Sequence, residues 1–202
     1  MTKILYGLVL AGGMSSRMGR DKATLVYQGQ AQLQRAMACL EPYVEKAFVS
    51  IRESQRSEPS RASYEQIIDE EGIKGPAAGL LAAYKAFPHA NWLVLACDLP
   101  LLRDKTLRDL CHQWHDSFEP SRAPIAYRST YNGLPEPLCA IWTPPLLEAL
   151  KSYVTEGVFC PRKALIRYGV STLSPSEQEW LENVNTPSER EAVLKHLGDA
   201  SI

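Results

Sequence analysis

The amino-acid sequence predicts an α/β fold in which a mainly parallel sheet is covered by helices on both faces. Three observations carry that prediction. Short apolar runs alternate along the chain with segments whose apolar residues recur at helical spacing. At 202 residues, 45% apolar and 22% charged, the chain can bury one substantial core and has the composition of an ordinary globular protein. The first apolar run breaks abruptly into glycines, serines and basic residues. Open α/β sheets place ligand-binding loops of this kind beyond the carboxyl ends of their strands.

The elements follow in order. Ile4–Leu10 reads as the first strand, and the glycine loop comes next. Leu33, Met37, Leu40 and Val44 lie on one helical face. Ala47–Ile51 is a second strand, and Arg52–Ser63 is polar and reads as a loop, the most mobile-looking stretch of the chain. Gln66–Asp69 is a brief third strand ending in a carboxylate. Gly75-Pro76 opens a helix bearing Leu80, Leu81, Tyr84 and Phe87. Trp92–Cys97 is a dense apolar strand that stops at Asp98, and Asp104 can cap the next helix. That helix carries the stripe Leu107, Leu110, Cys111, Trp114 and Phe118. Ile125–Arg128 and Leu138–Trp142 read as strands, and Pro144–Val154 and Pro161–Tyr168 as helices with proline in the first turn. Thr186-Pro187-Ser188-Glu189 is a capping box that opens the last helix, and Gly198 ends it. No repeat, low-complexity tract or domain boundary interrupts the pattern, so residues 1–202 are expected to form one domain.

Composition narrows the function. A formal net charge of −1 provides no basic field to attract nucleic acid or an anionic membrane, so any anion site must be local. No apolar run approaches the length of a membrane span. Ile4–Leu10 runs straight into Gly12, Ser15 and Arg17, which suits a buried strand and not a signal peptide. Cys39, Cys97, Cys111, Cys139 and Cys160 include no C-x-x-C pair, which points to free, mostly buried thiols in a reducing cytoplasm. Cys111 neighbours His112 and His115 but sits in an apolar stripe, so core packing explains it and no zinc pattern is present.

The loop Gly12-Gly13-Met14-Ser15-Ser16-Arg17-Met18-Gly19-Arg20-Asp21-Lys22 has the chemistry of a polyphosphate cradle. Glycines let backbone amides approach phosphate oxygens, serine hydroxyls add donors, and Arg17, Arg20 and Lys22 supply positive charge. Its spacing matches neither G-x-x-x-x-G-K-[ST] nor G-x-G-x-x-G. Asp69 and Asp98 end strands at the same expected sheet edge. A carboxylate there can hold Mg²⁺ on phosphate, although a turn or cap aspartate is the competing reading of Asp98. Asn183-Val184-Asn185-Thr186-Pro187 brings two amides to a helix N-terminus, and since Thr186 provides the cap, Asn185 is left for other work.

Together these stretches resemble the molybdenum cofactor guanylyltransferase (MobA-type) family of nucleotidyltransferases. Leu10-Ala11-Gly12-Gly13-x-Ser15-x-Arg17-Met18-Gly19-x-Asp21-Lys22 resembles the family's first motif. Gly75-Pro76-Ala77-Ala78-Gly79, Cys97-Asp98-Leu99-Pro100 and Asn183–Ser188 resemble the later ones. The resemblance implies a Rossmann-like, three-layer fold with a mainly parallel mixed sheet. It implies transfer of GMP from GTP to molybdopterin with release of pyrophosphate, and Mg²⁺ as cofactor. It also implies that Leu10, Ala11, Gly12, Gly13, Lys22, Ser50, Asp69, Gly79 and Asp98 contact the nucleotide. In the same way Arg17, Lys22 and Asp98 carry catalysis, and Asp98 and Asn185 hold the metal. Molybdoenzyme-maturation proteins are further expected partners; nucleic acid and membrane are not. Ser50 stands where the family often has Asn, and Glu136 where it commonly has His. A cytidylyltransferase, a sugar-phosphate nucleotidyltransferase or an inactive nucleotide-binding assembly partner on the same scaffold are therefore the alternatives.

Overall fold

The structure, a computed structural model, describes residues 4–13, 18–116 and 123–198. The chain runs through β1 (Leu5–Leu10), a small hairpin of β2 (Val26–Tyr27) and β3 (Gln30–Ala31), α1 (Gln32–Leu40) and β4 (Lys46–Ile51). It continues with α2 (Pro59–Ala62), β5 (Glu65–Ile68), α3 (Pro76–Ala86), β6 (Asn91–Ala96), α4 (Asp104–Asp116), β7 (Ile125–Arg128) and β8 (Pro135–Trp142). It closes with α5 (Pro144–Thr155), α6 (Pro161–Tyr168), β9 (Ser171–Leu173) and α7 (Pro187–Leu197).

Seven strands form one sheet in the order β5-β4-β1-β6-β8-β7-β9. β5, β4, β1 and β6 are mutually parallel, and β8 runs against both of its neighbours. The central strands are apolar on both sides because helices cover both faces. Leu8 and Val9 are neighbours in β1, both fully buried, and they point into different cores. On one face, α1 and α4 pack Leu33, Met37, Leu40, Leu107, Leu110 and Trp114 over Val9, Val49, Leu93 and Leu95. On the other, α3, α5 and α6 pack Leu80, Leu146, Leu150 and Leu165 over Leu8, Phe48, Trp92, Val94 and Trp142. Tyr6, Phe48, Phe87 and Trp92 add a ring cluster there, with centroids 5.2 to 6.0 Å apart. A third, smaller core joins Val193 and Leu194 of α7 to Met18, Leu25, Tyr27 and Leu101. It fastens the last helix to the segment that follows the glycine loop. Burial pushes the Cys111 thiol up to about 12, and Cys97 and Cys139 upward as well. No described helix is long and apolar enough to cross a membrane.

Several boundaries differ from the sequence expectation for physical reasons. α1 stops at Leu40 and leaves Val44 outside, because Pro42 follows in a separate 3-10 turn, Glu41–Tyr43. β8 begins at Pro135, three residues before the expected Leu138. Asp104 is the first residue of α4, and its carboxylate accepts the Tyr43 hydroxyl at 2.6 Å. Phe118 lies outside the described residues. The largest correction concerns Arg52–Ser63. This stretch is not a mobile loop: it forms a 3-10 turn, Glu53–Gln55, and then α2, packed around the fully buried Arg61.

Candidate active site

The parallel strands deliver their carboxyl ends side by side, and backbone pairing continues one residue beyond them. Ala11 N–H donates to Ser50 C=O at 2.9 Å, Asp69 N–H to Ile51 C=O at 2.8 Å, and Cys97 N–H to Leu10 C=O at 3.2 Å. Ala11, Asp69 and Asp98 are thus fixed at one sheet edge before any side chain is considered. Two clusters form there.

The first cluster surrounds Asp69. Ser50 is 1% exposed, and its hydroxyl donates to Asp69 Oδ1 at 2.5 Å. Burial raises the Asp69 pKa above the usual carboxylate range, against the opposing pull of the Ser50 hydrogen bond and the Arg52 charge. A Cβ on Gly79 would collide with Ser50 Oγ and stand 2.7 Å from Leu10 Cδ2 and 3.1 Å from Asp69 Oδ1. A Cβ on Gly12 would collide with Asp69 Oδ2. Both glycines are therefore required by close approach. At the start of α3, Gly75 takes φ 66° and ψ −155°, a conformation reserved for glycine, and so turns the chain into the helix that carries Gly79.

The second cluster surrounds Lys22. Its Nζ lies 2.9 Å from Asp98 Oδ2 and 2.7 Å from Asn185 Oδ1. Val184 N–H donates to Asp98 C=O at 3.0 Å, which ties the chain just before α7 to the end of β6. The capping box then orients Asn185. Asn185 N–H and Thr186 N–H donate to Glu189 Oε2 at 2.6 and 3.0 Å, and Thr186 Oγ accepts from Glu189 N–H at 3.3 Å. Those backbone donors hold the Glu189 carboxyl below its usual range.

Asp98 Oδ1 is buried without a hydrogen-bond partner. An unsatisfied carboxylate oxygen suits a hard divalent cation, and Lys22 Nζ, which bridges Asp98 Oδ2 and Asn185 Oδ1, leaves that oxygen unused. Among the described residues no group of three or more His, Cys, Asp or Glu assembles as a metal cage. A cation on Asp98 would hence draw its other ligands from phosphate and water, the habit of Mg²⁺. The residues present fit such an ion.

The structure therefore brings together Leu10, Ala11, Gly12, Ser50, Asp69 and Gly79 on one side and Lys22, Asp98 and Asn185 on the other. Ser50 faces inward and reaches the site only through Asp69. Gly13 is exposed. Arg17 lies outside the described residues.

Two features escaped the sequence. One is Arg61. Its Nη2 donates to Ala11 C=O at 2.9 Å and Asp21 Oδ1 at 3.1 Å, and its Nη1 to Asp21 Oδ2 at 2.7 Å and to Glu58. Nothing in the polar run 52–63 distinguishes this arginine from Arg52 or Arg56. The other is a cavity of about 290 Å³ lined by Ser129, Tyr131, Glu136, Glu182, Asn183 and Glu189. Glu136 is paired there with Arg162 at 2.7 Å, so its charge is compensated within the protein. Glu189, which lines the cavity, also accepts Asn185 N–H, so the cavity adjoins the residue that Lys22 contacts.

Comparison with known proteins places the chain in a family. The family model of the MobA-like NTP transferase domain matches residues 7–172. The molybdenum cofactor biosynthesis bifunctional protein of Synechocystis is 34% identical over 185 residues, 92% of this chain and 52% of that protein. The chain thus spans about half the length of that relative. The molybdenum cofactor guanylyltransferase of Shewanella sediminis is 28% identical over 98% of this chain and 99% of its own length. Among solved structures, molybdopterin-guanine dinucleotide biosynthesis protein A from Archaeoglobus fulgidus superposes with a TM-score of 0.75 at 20% identity. That match covers 96% of this chain and 98% of the other, and shows the same fold.

Proposed function

The chain belongs to the MobA-like NTP transferase family, and we propose that it is a molybdenum cofactor guanylyltransferase, moving GMP from GTP to molybdopterin. The observation that carries this reading is the convergence of Lys22, Asp98 and Asn185 at the mouth of the sheet. The name of the Shewanella relative supports guanylyl transfer, and the names of both relatives support the molybdenum cofactor as its setting.

The reaction needs little covalent chemistry from the protein. A phosphate oxygen of the acceptor attacks the α-phosphorus in line, the bond to the bridging oxygen breaks, and pyrophosphate leaves with the electron pair. Positioning and charge stabilisation supply the rate. The loop backbone from Leu10 to Gly13 holds the phosphates, and Asp69 faces the nucleotide across Gly12. Lys22 neutralises charge on the departing pyrophosphate, and Arg17 does the same on the strength of its place in the motif. Mg²⁺, held by Asp98 with Asn185 beside it, would supply Lewis-acid polarisation of the α-phosphate when bound. The acceptor enters by the cavity of Tyr131, Glu136 and Asn183. A glutamate facing a phosphorylated pterin would repel it, and the Glu136–Arg162 pair compensates that charge.

A thermal-shift panel tests the reading. With Mg²⁺ present, GTP raises the melting temperature more than CTP, UTP or ATP, because a ligand that binds only the folded state stabilises it by mass action. Equal shifts for all four nucleotides contradict guanine selection, and no shift for any contradicts nucleotide binding altogether.

A further inference from the structure

Among the described residues, Arg61 is the only charged residue that is buried, and it is 0% exposed. A buried ion is costly unless its partners and geometry are fully supplied, and apolar packing fills space more cheaply. What an arginine fork provides instead is a fixed geometry.

Here the fork joins the two ends of one loop. Ala11, whose carbonyl it holds at 2.9 Å, is where the glycine loop leaves β1. Asp21, which it grips through both carboxylate oxygens at 2.7 and 3.1 Å, is the residue before Lys22. Asp21 Oδ1 also accepts Ala23 N–H at 3.0 Å, which fixes the turn Lys22–Thr24. The Lys22 side chain reaches Asp98 and Asn185 from that turn. The anchoring helix, α2, belongs to neither end of the loop and takes no other part in the site.

We infer that Arg61 is a positioning residue: by holding Ala11 and Asp21 at a fixed spacing it sets the backbone at the end of β1 and the Lys22 side chain to meet the triphosphate together. The inference rests on the proposed nucleotidyltransferase activity. It assigns to Asp21 a task different from touching nucleotide or metal, namely receiving the fork.

Calorimetric titration with GTP and Mg²⁺ tests it on wild type, Arg61→Lys, Arg61→Met, Asp21→Asn and the double variant Arg61→Met/Asp21→Asn, at a temperature where circular dichroism shows each folded. Arg61→Lys keeps the charge but loses the fork, and is expected to weaken GTP binding roughly tenfold. Arg61→Met is expected to weaken it roughly a hundredfold, the range set by one or two charge-assisted hydrogen bonds. Asp21→Asn resembles Arg61→Lys, and the double variant binds no worse than Arg61→Met because both changes cut one link. KM for the acceptor stays within about twofold of wild type in Arg61→Lys, since the cavity walls do not touch Arg61. Wild-type GTP affinity in folded Arg61→Lys and Asp21→Asn, with lowered melting temperatures alone, overturns the inference. Should Arg61→Met fail to fold, those two conservative variants decide. A wild-type protein that binds none of the four nucleotides overturns the proposed function and this inference with it; nucleotide binding untouched by the variants overturns the inference alone.

Discussion

Asp69 shows how one residue's environment sets two properties in opposition. Burial favours its protonated form, and neither the Ser50 hydroxyl nor the Arg52 charge offsets that. Its folded pKa therefore lies above the unfolded value. Between those two values the native state holds a proton that the unfolded chain has released, so stability falls as pH rises through that window and stays lower above it. Asp69→Asn removes this slope. An amide oxygen can still accept from Ser50, so the variant should be at least as stable as wild type at neutral pH while binding GTP more weakly. Urea melts across the mildly acidic range check the slope, and a loss of neutral-pH stability would contradict the account. The placement of Asp69 and Asp98 at the sheet edge was legible in the sequence because each follows a strand that the apolar pattern marks, whereas Lys22 and Asn185 stood out by motif and by their place beside the glycine loop and the helix cap. Arg61 was not, because its partners Ala11 and Asp21 lie 50 and 40 residues away and only the folded chain unites them.

At the scale of elements, α7 is held by chemistry that the sequence spells out. The Thr186–Glu189 capping box is present in full, and Gly198 ends the helix at φ 71°. Thr186→Ala should cost about 1 kcal/mol of stability, measured by urea unfolding. It should also weaken Mg²⁺-dependent GTP binding, because the same box orients Asn185. Helix α3 makes the opposite demand, a missing side chain. Gly79→Ala would push the helix off the sheet at Ser50 and Leu10. The expected loss is about 1–3 kcal/mol, and a fully wild-type melt would refute the close-approach reading. Long, strongly patterned elements such as α4 and β6 were readable in advance. The two-residue strands β2 and β3, the four-residue α2 and the three-residue β9 were not, since such short segments contain no full period to detect.

Across the whole molecule, one sheet is the shared wall of two cores, with Trp114 on one face and Trp92 and Trp142 on the other, all three almost fully buried. Neither face can lose its helices without exposing strands that also carry the opposite face. Unfolding in urea should therefore give coincident transitions by tryptophan fluorescence and far-ultraviolet circular dichroism; separated midpoints would show that the layers come apart independently. The alternation of strands and helices made the layers foreseeable, but not the order of the far strands, where β8 runs backwards between β6 and β7. That reversal has an evolutionary consequence. Because β8 runs backwards, the β7–β8 connection is a tight hairpin at the same edge as the glycine loop, where a parallel strand would have needed a crossover beneath the sheet. Hairpin tips tolerate insertion and exchange without disturbing the framework that carries them. A chain built on this scaffold can accordingly exchange this hairpin for another of different length or sequence while its parallel half stays unchanged.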